Sequence, residues 1–259
     1  MIEPCEPDFR LDGRKALVTG ASRGIGAALA QGLARFGADV AVTARDVARL
    51  EDVAAAVRAE GRQAVELAMD VASVASVRGT VERAVAALGG LDILINNAGT
   101  EEVRPSLEVE EELWDRILDT NLKGAFFTAQ ASARAMQAGR RGGTIVNVCS
   151  LTSAVGVPTA VPYGSSKAGL LGMTRALAAE WAPLGIRVNG IGPGYFRTEL
   201  TEVFYRDEGW ARSMLGKIPA GRFGDLRDLV GAAVFLCSDA ARYVSGQILY
   251  IDGGYHIID

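Results

Sequence analysis

Histidine is nearly absent: the 259 residues include one, His256. A Ser-His-Asp hydrolase would have to draw its base from that position, and a metal site built on two or three histidines is excluded. Acid–base chemistry then falls to carboxylates, Lys, Tyr or Cys. Cysteine is scarce as well. Cys5, Cys149 and Cys237 are far apart and odd in number, unlike a disulfide or zinc framework, so a reducing cytoplasm is the expected location. No stretch approaches the ~20 continuous apolar residues of a membrane span, and no membrane contact is expected. Positive charge is not in excess: 27 Lys and Arg against 31 Asp and Glu give a net charge of −4. That balance argues against a nucleic-acid partner. Residues 1–10 hold Glu3, Pro4, Glu6, Pro7 and Asp8, with neither a basic nor an apolar stretch. They are expected to form a polar arm rather than a signal peptide.

What the chain does have is regular alternation. Apolar runs at 15–19, 39–43, 64–69, 91–96, 144–149, 187–191 and 247–250 read as strands. Helical spacing is expected from Ile25 to about Phe36, at 47–60 and 73–88, and without a break at 113–138, with Trp114, Ile117, Leu122 and Phe126 facing the core. Further helices are expected at 163–181, around 200–215, and from an Asp225 cap to about 238. Ser73 is a candidate cap for the third of these, and Gly37 and Gly61 stop the first two. Strands alternating with helices along the whole chain predict a doubly wound parallel sheet with helices on both faces. The strands are continuously apolar, as burial of both sheet faces requires. Residues 11–259 are read as one domain, with ligands at the C-terminal ends of the strands.

The first strand runs into Gly20-Ala21-Ser22-Arg23-Gly24-Ile25-Gly26. Gly20 permits a tight turn, Gly24 lets backbone approach a pyrophosphate, and Gly26 lets the helix pack close to the sheet. The helix N-terminus then offers free N–H groups to phosphates. The second strand ends in Thr43-Ala44-Arg45, without the acidic residue that holds a ribose 2′-hydroxyl in NAD sites. Arg23 and Arg45 are therefore placed to bracket a 2′-phosphate, favouring NADP(H) and leaving NAD(H) open, with Asp46 acting against the preference.

Tyr163 and Lys167 stand four residues apart at a helix start, on one face. A nearby ammonium favours the phenolate and is expected to lower the Tyr163 pKa. Ser150 ends the fifth strand, and the intervening loop can bring its hydroxyl to that of Tyr163. Asn96-Asn97-Ala98-Gly99 ends the fourth strand with small residues suited to a close cofactor. Asn121 is a poor helix former amid a predicted helix, which suggests a polar role such as a water-bridged link to Lys167.

These segments, together with Met69-Asp70-Val71, residues 188–198 and Ile251-Asp252-Gly253-Gly254, resemble the short-chain dehydrogenase/reductase family over about residues 11–255. The resemblance implies a Rossmann-like seven-stranded sheet and hydride transfer between NAD(P) and a carbonyl or alcohol. It implies Tyr163 as general acid/base, Ser150 as holder of the carbonyl oxygen, and Lys167 as ligand of the nicotinamide ribose and tuner of Tyr163. Asn121 would anchor a relay water. Asp70 and Val71 would border the adenine; Asn97, Ala98, Gly99, Pro193, Gly194 and Thr198 would border the ribose and nicotinamide. A homotetramer is implied, built on the two long helices and the last strand. Cys149 stands where many members carry Ser, and is read as a small buried residue rather than a nucleophile.

Residues 145–150, 192–200 and 218–239 look most like gluconate 5-dehydrogenases and other sugar-acid enzymes, with 3-oxoacyl-carrier-protein reductases close behind. A small polar ketone or secondary alcohol of the sugar-acid type is the expected substrate. Arg104 is a candidate partner for its carboxylate, and Thr152 and Tyr195 are candidate substrate contacts. Residues 195–217 are expected to form a lid. The acidic run 108–112 is expected at a helix N-terminus and is given no chemistry. A non-catalytic NADP(H) sensor would not need Asn121, Ser150, Tyr163 and Lys167, and an isomerase or dehydratase of similar fold would usually carry a larger C-terminal substrate domain. No metal site is expected. His256 has no catalytic assignment, though a subunit contact is conceivable.

Overall fold

A computed structural model of the chain describes residues 8–197 and 205–257. Seven strands form one parallel sheet in the order β3-β2-β1-β4-β5-β6-β7. They are β1 (Lys15–Val18), β2 (Asp39–Ala44), β3 (Ala64–Ala68), β4 (Ile93–Asn96), β5 (Gly143–Val148), β6 (Ile186–Pro193) and β7 (Ile248–Ile251). The helices are α1 (Gly24–Arg35), α2 (Glu51–Ala59), α3 (Val74–Leu88), α4 (Glu111–Leu118), α5 (Gly124–Gly139), α6 (Val161–Trp181), α7 (Glu208–Leu215) and α8 (Arg227–Cys237).

Because side chains alternate across a strand, Ala16 and Val18 of β1 face one side while Leu17 faces the other. The first side packs Leu29 and Leu33 of α1, Val53 and Val57 of α2, and Leu229 and Val234 of α8. The second packs Val81 and Leu88 of α3, Ala129 and Met136 of α5, and Leu177 and Trp181 of α6. The expected doubly wound, Rossmann-like single-domain α/β fold is the fold observed. Strand order reverses between β1 and β4, and the polar clusters of the sequence gather at that crevice, as in open α/β sheets generally.

Three expectations change. The predicted helix at 113–138 is two helices joined by a π-helical turn at Asp119–Lys123, which carries Asn121. One extra residue per turn in the backbone ladder shifts the face that α5 presents. Trp114, expected in the core, is 39% exposed, because the short α4 turns only Leu113 and Ile117 inward. Helix α7 begins at Glu208, and the earlier part of the helix expected around 200–215 lies largely outside the described residues. Ser73 does cap α3, accepting the Ser76 N–H at 3.3 Å. Asp225 accepts the first N–H of α8, from Arg227, at 2.9 Å.

Candidate active site

The loop after β1 is laced to the end of β4. Thr19 Oγ1 accepts the N–H groups of Asn97 and Ala98, both at 2.9 Å. Asn97 Nδ2 in turn donates to the carbonyls of Thr19 and Gly20, also at 2.9 Å. No side chain fits inside this lacing. A Cβ on Gly20, where φ is +62°, would stand 2.8 Å from Ala98 Cα, and one on Gly26 would stand 2.4 Å from Asn97 Nδ2. Helix α1 therefore opens hard against the crevice. Its N-cap, Arg23, is extended and gives no side-chain cap, and its first turn, with Ile25, holds no acid. Unanswered N–H groups and the positive end of the helix dipole suit a diphosphate, so the residues present fit a dinucleotide.

Around this cradle Ser22 is partly buried, and Arg23 and Arg45 are exposed. Arg45 has no ion-pair partner among the described residues. Asp46 is committed elsewhere, its carboxylate accepting the Ala48 N–H at 3.1 Å. Asp70 is exposed at the end of β3 and accepts the Ala72 N–H at 3.1 Å. The Val71 carbonyl packs against Gly124, where a Cβ would come within 2.5 Å. Pro193 ends β6, and Gly194 packs against Asp252, where a Cβ would meet another Cβ at 2.6 Å. Thr198 lies outside the described residues.

The end of β5 meets the start of α6 beside the cradle. Ser150 is 8% exposed and opens a short 3-10 turn, Leu151–Ser153, its Oγ accepting the Thr152 N–H at 3.1 Å. The Thr152 hydroxyl is buried and has no hydrogen-bond partner. Lys167 is buried. Its Nζ donates to the Val148 carbonyl at 2.7 Å and stands 5.6 Å from the centre of the Tyr163 ring. Burial lowers the Lys167 pKa, opposed by Cys149 and Glu101. The Tyr163 pKa is raised, first by burial and then by the charge of Glu101, while interaction with the Ser150 hydroxyl favours the phenolate. The lowering expected from Lys167 is not seen in the protein by itself, where the shift is upward and Tyr163 rests as a neutral phenol. The Cys149 thiol is pushed up to about 11 by burial, which leaves it unreactive.

Asn121 is 1% exposed. Its amide clamps Thr100: Oδ1 accepts the Thr100 N–H at 2.8 Å and Nδ2 donates to the Thr100 carbonyl at 2.9 Å. Nδ2 also donates to Ser166 Oγ, 3.1 Å away in α6. Gly99 lies against the same amide, where a Cβ would come 3.3 Å from Oδ1. The clamp decides the course of the next residues. Arg104, expected to meet a substrate carboxylate, is instead paired with Glu102 at 2.5 Å on the outer surface, and Arg116 binds the same carboxylate. Arg104 is 44% exposed and already engaged by a carboxylate that it shares with Arg116. Glu101, which the sequence reading passes over, is half-buried on the inner side, close enough to Lys167, Tyr163 and Tyr195 for its charge to act on all three. The signal available in the sequence was a carboxylate two positions beyond Gly99. Tyr195 stands edge-on to Trp210 at 5.7 Å and to Tyr255 at 5.1 Å. His256 is held by Asp252: its N–H donates at 2.9 Å, its Nδ1 lies 2.5 Å from the same oxygen, and its ring packs on Tyr250. Among the described residues no cluster of potential metal ligands occurs.

A family model described as enoyl-(acyl carrier protein) reductase matches residues 20–256. Gluconate 5-dehydrogenase of Gluconobacter oxydans is 43% identical over 249 residues, which are 96% of this chain and 97% of that one. Among solved structures, a Sinorhizobium meliloti protein assigned to the short-chain alcohol dehydrogenases is 59% identical, with a TM-score of 0.95 over 98% of this chain and 100% of the other. A gluconate 5-dehydrogenase from Burkholderia cenocepacia, in complex with NADP and tartrate, is 41% identical, with a TM-score of 0.94 over 98% and 99%. The chain belongs to the short-chain dehydrogenase/reductase family. It is an oxidoreductase of the class that acts on CH–OH groups.

Proposed function

We propose that the chain interconverts a sugar-acid ketone and its secondary alcohol with NADP(H). The observation that carries this reading is the meeting of Ser150, Tyr163 and Lys167 beside the uncapped N-terminus of α1, in a chain 43% identical to a gluconate 5-dehydrogenase. The exposed Arg45 at the end of β2, and NADP in the Burkholderia relative, support the phosphorylated cofactor.

The dinucleotide supplies or accepts the hydride. Gly20, Ser22, Gly24, Ile25 and Gly26 cradle its diphosphate, Arg23 and Arg45 hold the 2′-phosphate, and Asp70 and Val71 border the adenine. Asn97, Ala98, Gly99, Pro193 and Gly194 line the inner end. The Ser150 hydroxyl donates to the substrate oxygen, and Tyr163 passes its proton to that oxygen as negative charge develops there. Burial and Glu101 keep the phenol protonated, which suits ketone reduction. Oxidation needs the phenolate, and the Lys167 ammonium favours it. Asn121 positions the loop over the site. Thr152 and Tyr195 contact the substrate, and the described parts of 195–217, residues 195–197 and 205–217, cover it. The groove between α5 and α6, where Phe126, Leu177, Trp181 and Leu184 are rimmed by Gln130, Arg134, Gln137 and Glu180, supports assembly as a homotetramer through these helices. The free thiols of Cys149 and Cys237 accord with a reducing cytoplasm.

Gluconate, 5-ketogluconate and a β-ketoacyl thioester, each offered with both cofactors, test the reading by nicotinamide absorbance. Turnover of the sugar acids with NADP(H) is expected. Turnover of the thioester alone would replace this reading by a fatty-acid-type reductase.

A further inference from the structure

Glu101 is a carboxylate without a partner inside the site. Both backbone groups of the preceding Thr100 are fixed by Asn121, at 2.8 and 2.9 Å, so residue 101 is not free to swing away. Its neighbour Glu102 pairs with Arg104 and Arg116, and Glu101 is half-buried. Among the described residues its carboxylate has no hydrogen bond and no ion pair. About four acceptor positions are therefore left unfilled. A partly desolvated, unpaired carboxylate costs stability unless something donates to it. Asn121 also bonds Ser166, whose hydroxyl donates to the Tyr163 carbonyl, so residue 101 follows directly on a segment tied to the start of α6, and its charge acts on Lys167, Tyr163 and Tyr195. The Tyr195 ring is braced edge-on by Trp210 and Tyr255.

The geometry points to Glu101 as a specificity-determining residue that accepts a hydrogen bond from a substrate hydroxyl on the carbon next to the reacting one. The Tyr195 ring lies alongside as a platform for the C–H face. This deepens the sugar-acid reading and rests on it only in requiring a hydroxylated substrate. A polyol carbon fills the acceptors; a methylene, as in a 3-oxoacyl chain, leaves the carboxylate dry and unanswered. The negative charge also dictates polarity along the substrate. A carboxylate of its own must lie at the far end, as it does when a gluconate reacts at carbon 5. Arg104, already neutralised by Glu102, is not required for that orientation.

The test compares wild type, Glu101→Gln and Glu101→Leu, with NADPH, on 5-ketogluconate, hydroxyacetone and a hydroxyl-free ketone of similar size. The ratio of kcat/KM for hydroxylated over hydroxyl-free ketone should fall roughly 10- to 100-fold in Glu101→Leu, the range of one hydrogen bond to a charged group. The fall should be smaller in Glu101→Gln, which keeps a neutral acceptor, and should arise mainly in KM. NADPH binding, read by nicotinamide fluorescence, reports whether the cofactor site is intact. An unmoved ratio, or equal losses on both kinds of ketone with NADPH still bound, would overturn the proposal. So would a wild type that prefers the hydroxyl-free ketone. A wild type that accepts hydroxyacetone but refuses 5-ketogluconate defeats the sugar-acid reading alone, and the same ratio on hydroxyacetone then decides the role of Glu101.

Discussion

Replacing Asn121 by alanine should destabilise the protein far more than a polar-to-alanine change in a helix normally does. The amide makes three hydrogen bonds of 2.8, 2.9 and 3.1 Å from a position 1% exposed. Ser166 Oγ keeps its bond to the Tyr163 carbonyl at 2.7 Å, so its loss is modest. The N–H and carbonyl of Thr100 have no other partner shown and are stranded. At about 1 kcal/mol per neutral hydrogen bond, and more where a buried group is left unanswered, the sum is about 3 kcal/mol. Asn121→Asp separates the bonds. It keeps an acceptor for the Thr100 N–H but sets a second oxygen against the Thr100 carbonyl, so it should recover little of the loss. Urea unfolding at two protein concentrations, to separate subunit association from folding, measures both variants. Because the clamp also fixes Glu101 and touches α6, kcat/KM should fall along with the midpoint. If either variant unfolds within ~0.5 kcal/mol of wild type, the range of ordinary surface changes, then Asn121 is not the brace described.

Further outcomes follow from other parts of the crevice. Arg45→Asp should move cofactor preference toward NAD(H) by roughly 10- to 100-fold in kcat/KM, the value of one charge-assisted contact to phosphate; unchanged kinetics with both cofactors would remove Arg45 from the 2′-phosphate site. Gly26→Ala puts a methyl 2.4 Å from Asn97 Nδ2 and should cost about 1–3 kcal/mol by overpacking, with weaker NADPH binding in fluorescence titration; wild-type stability and affinity would show the lacing to be loose. Burial raises the Glu101 pKa despite Lys167. A carboxyl that holds its proton more tightly when folded contributes stability below its unfolded pKa and loses it as pH rises through the folded value. Glu101→Gln should therefore have a higher Tm than wild type at about pH 8, with the gap narrowing toward about pH 5; a gap that widens on acidification would contradict the sign.

The framework was readable from the chain because the strands are mostly apolar runs, such as Ile93 to Ile95, separated by helical spacing and glycine stops. The glycine cradle was readable because backbone crowding demands glycine there. What escaped depends on contacts between distant segments. The π-helical turn at Asp119–Lys123 leaves little trace in hydrophobic spacing, though an asparagine among Thr120 and Leu122 hinted at it. Arg104 and Glu101 are neighbours in one charged loop, and only the folded structure shows that Arg104 pairs with Glu102. The pKa of Tyr163 depends on depth of burial, which Tyr and Lys four residues apart do not reveal.

The most direct test of the central claim is the reduction of 5-ketogluconate by NADPH, measured for wild type and for Tyr163→Phe. General acid catalysis predicts a fall in kcat of roughly a hundred- to ten-thousand-fold, with NADPH affinity retained. Turnover by the phenylalanine variant close to that of wild type would show that another group moves the proton.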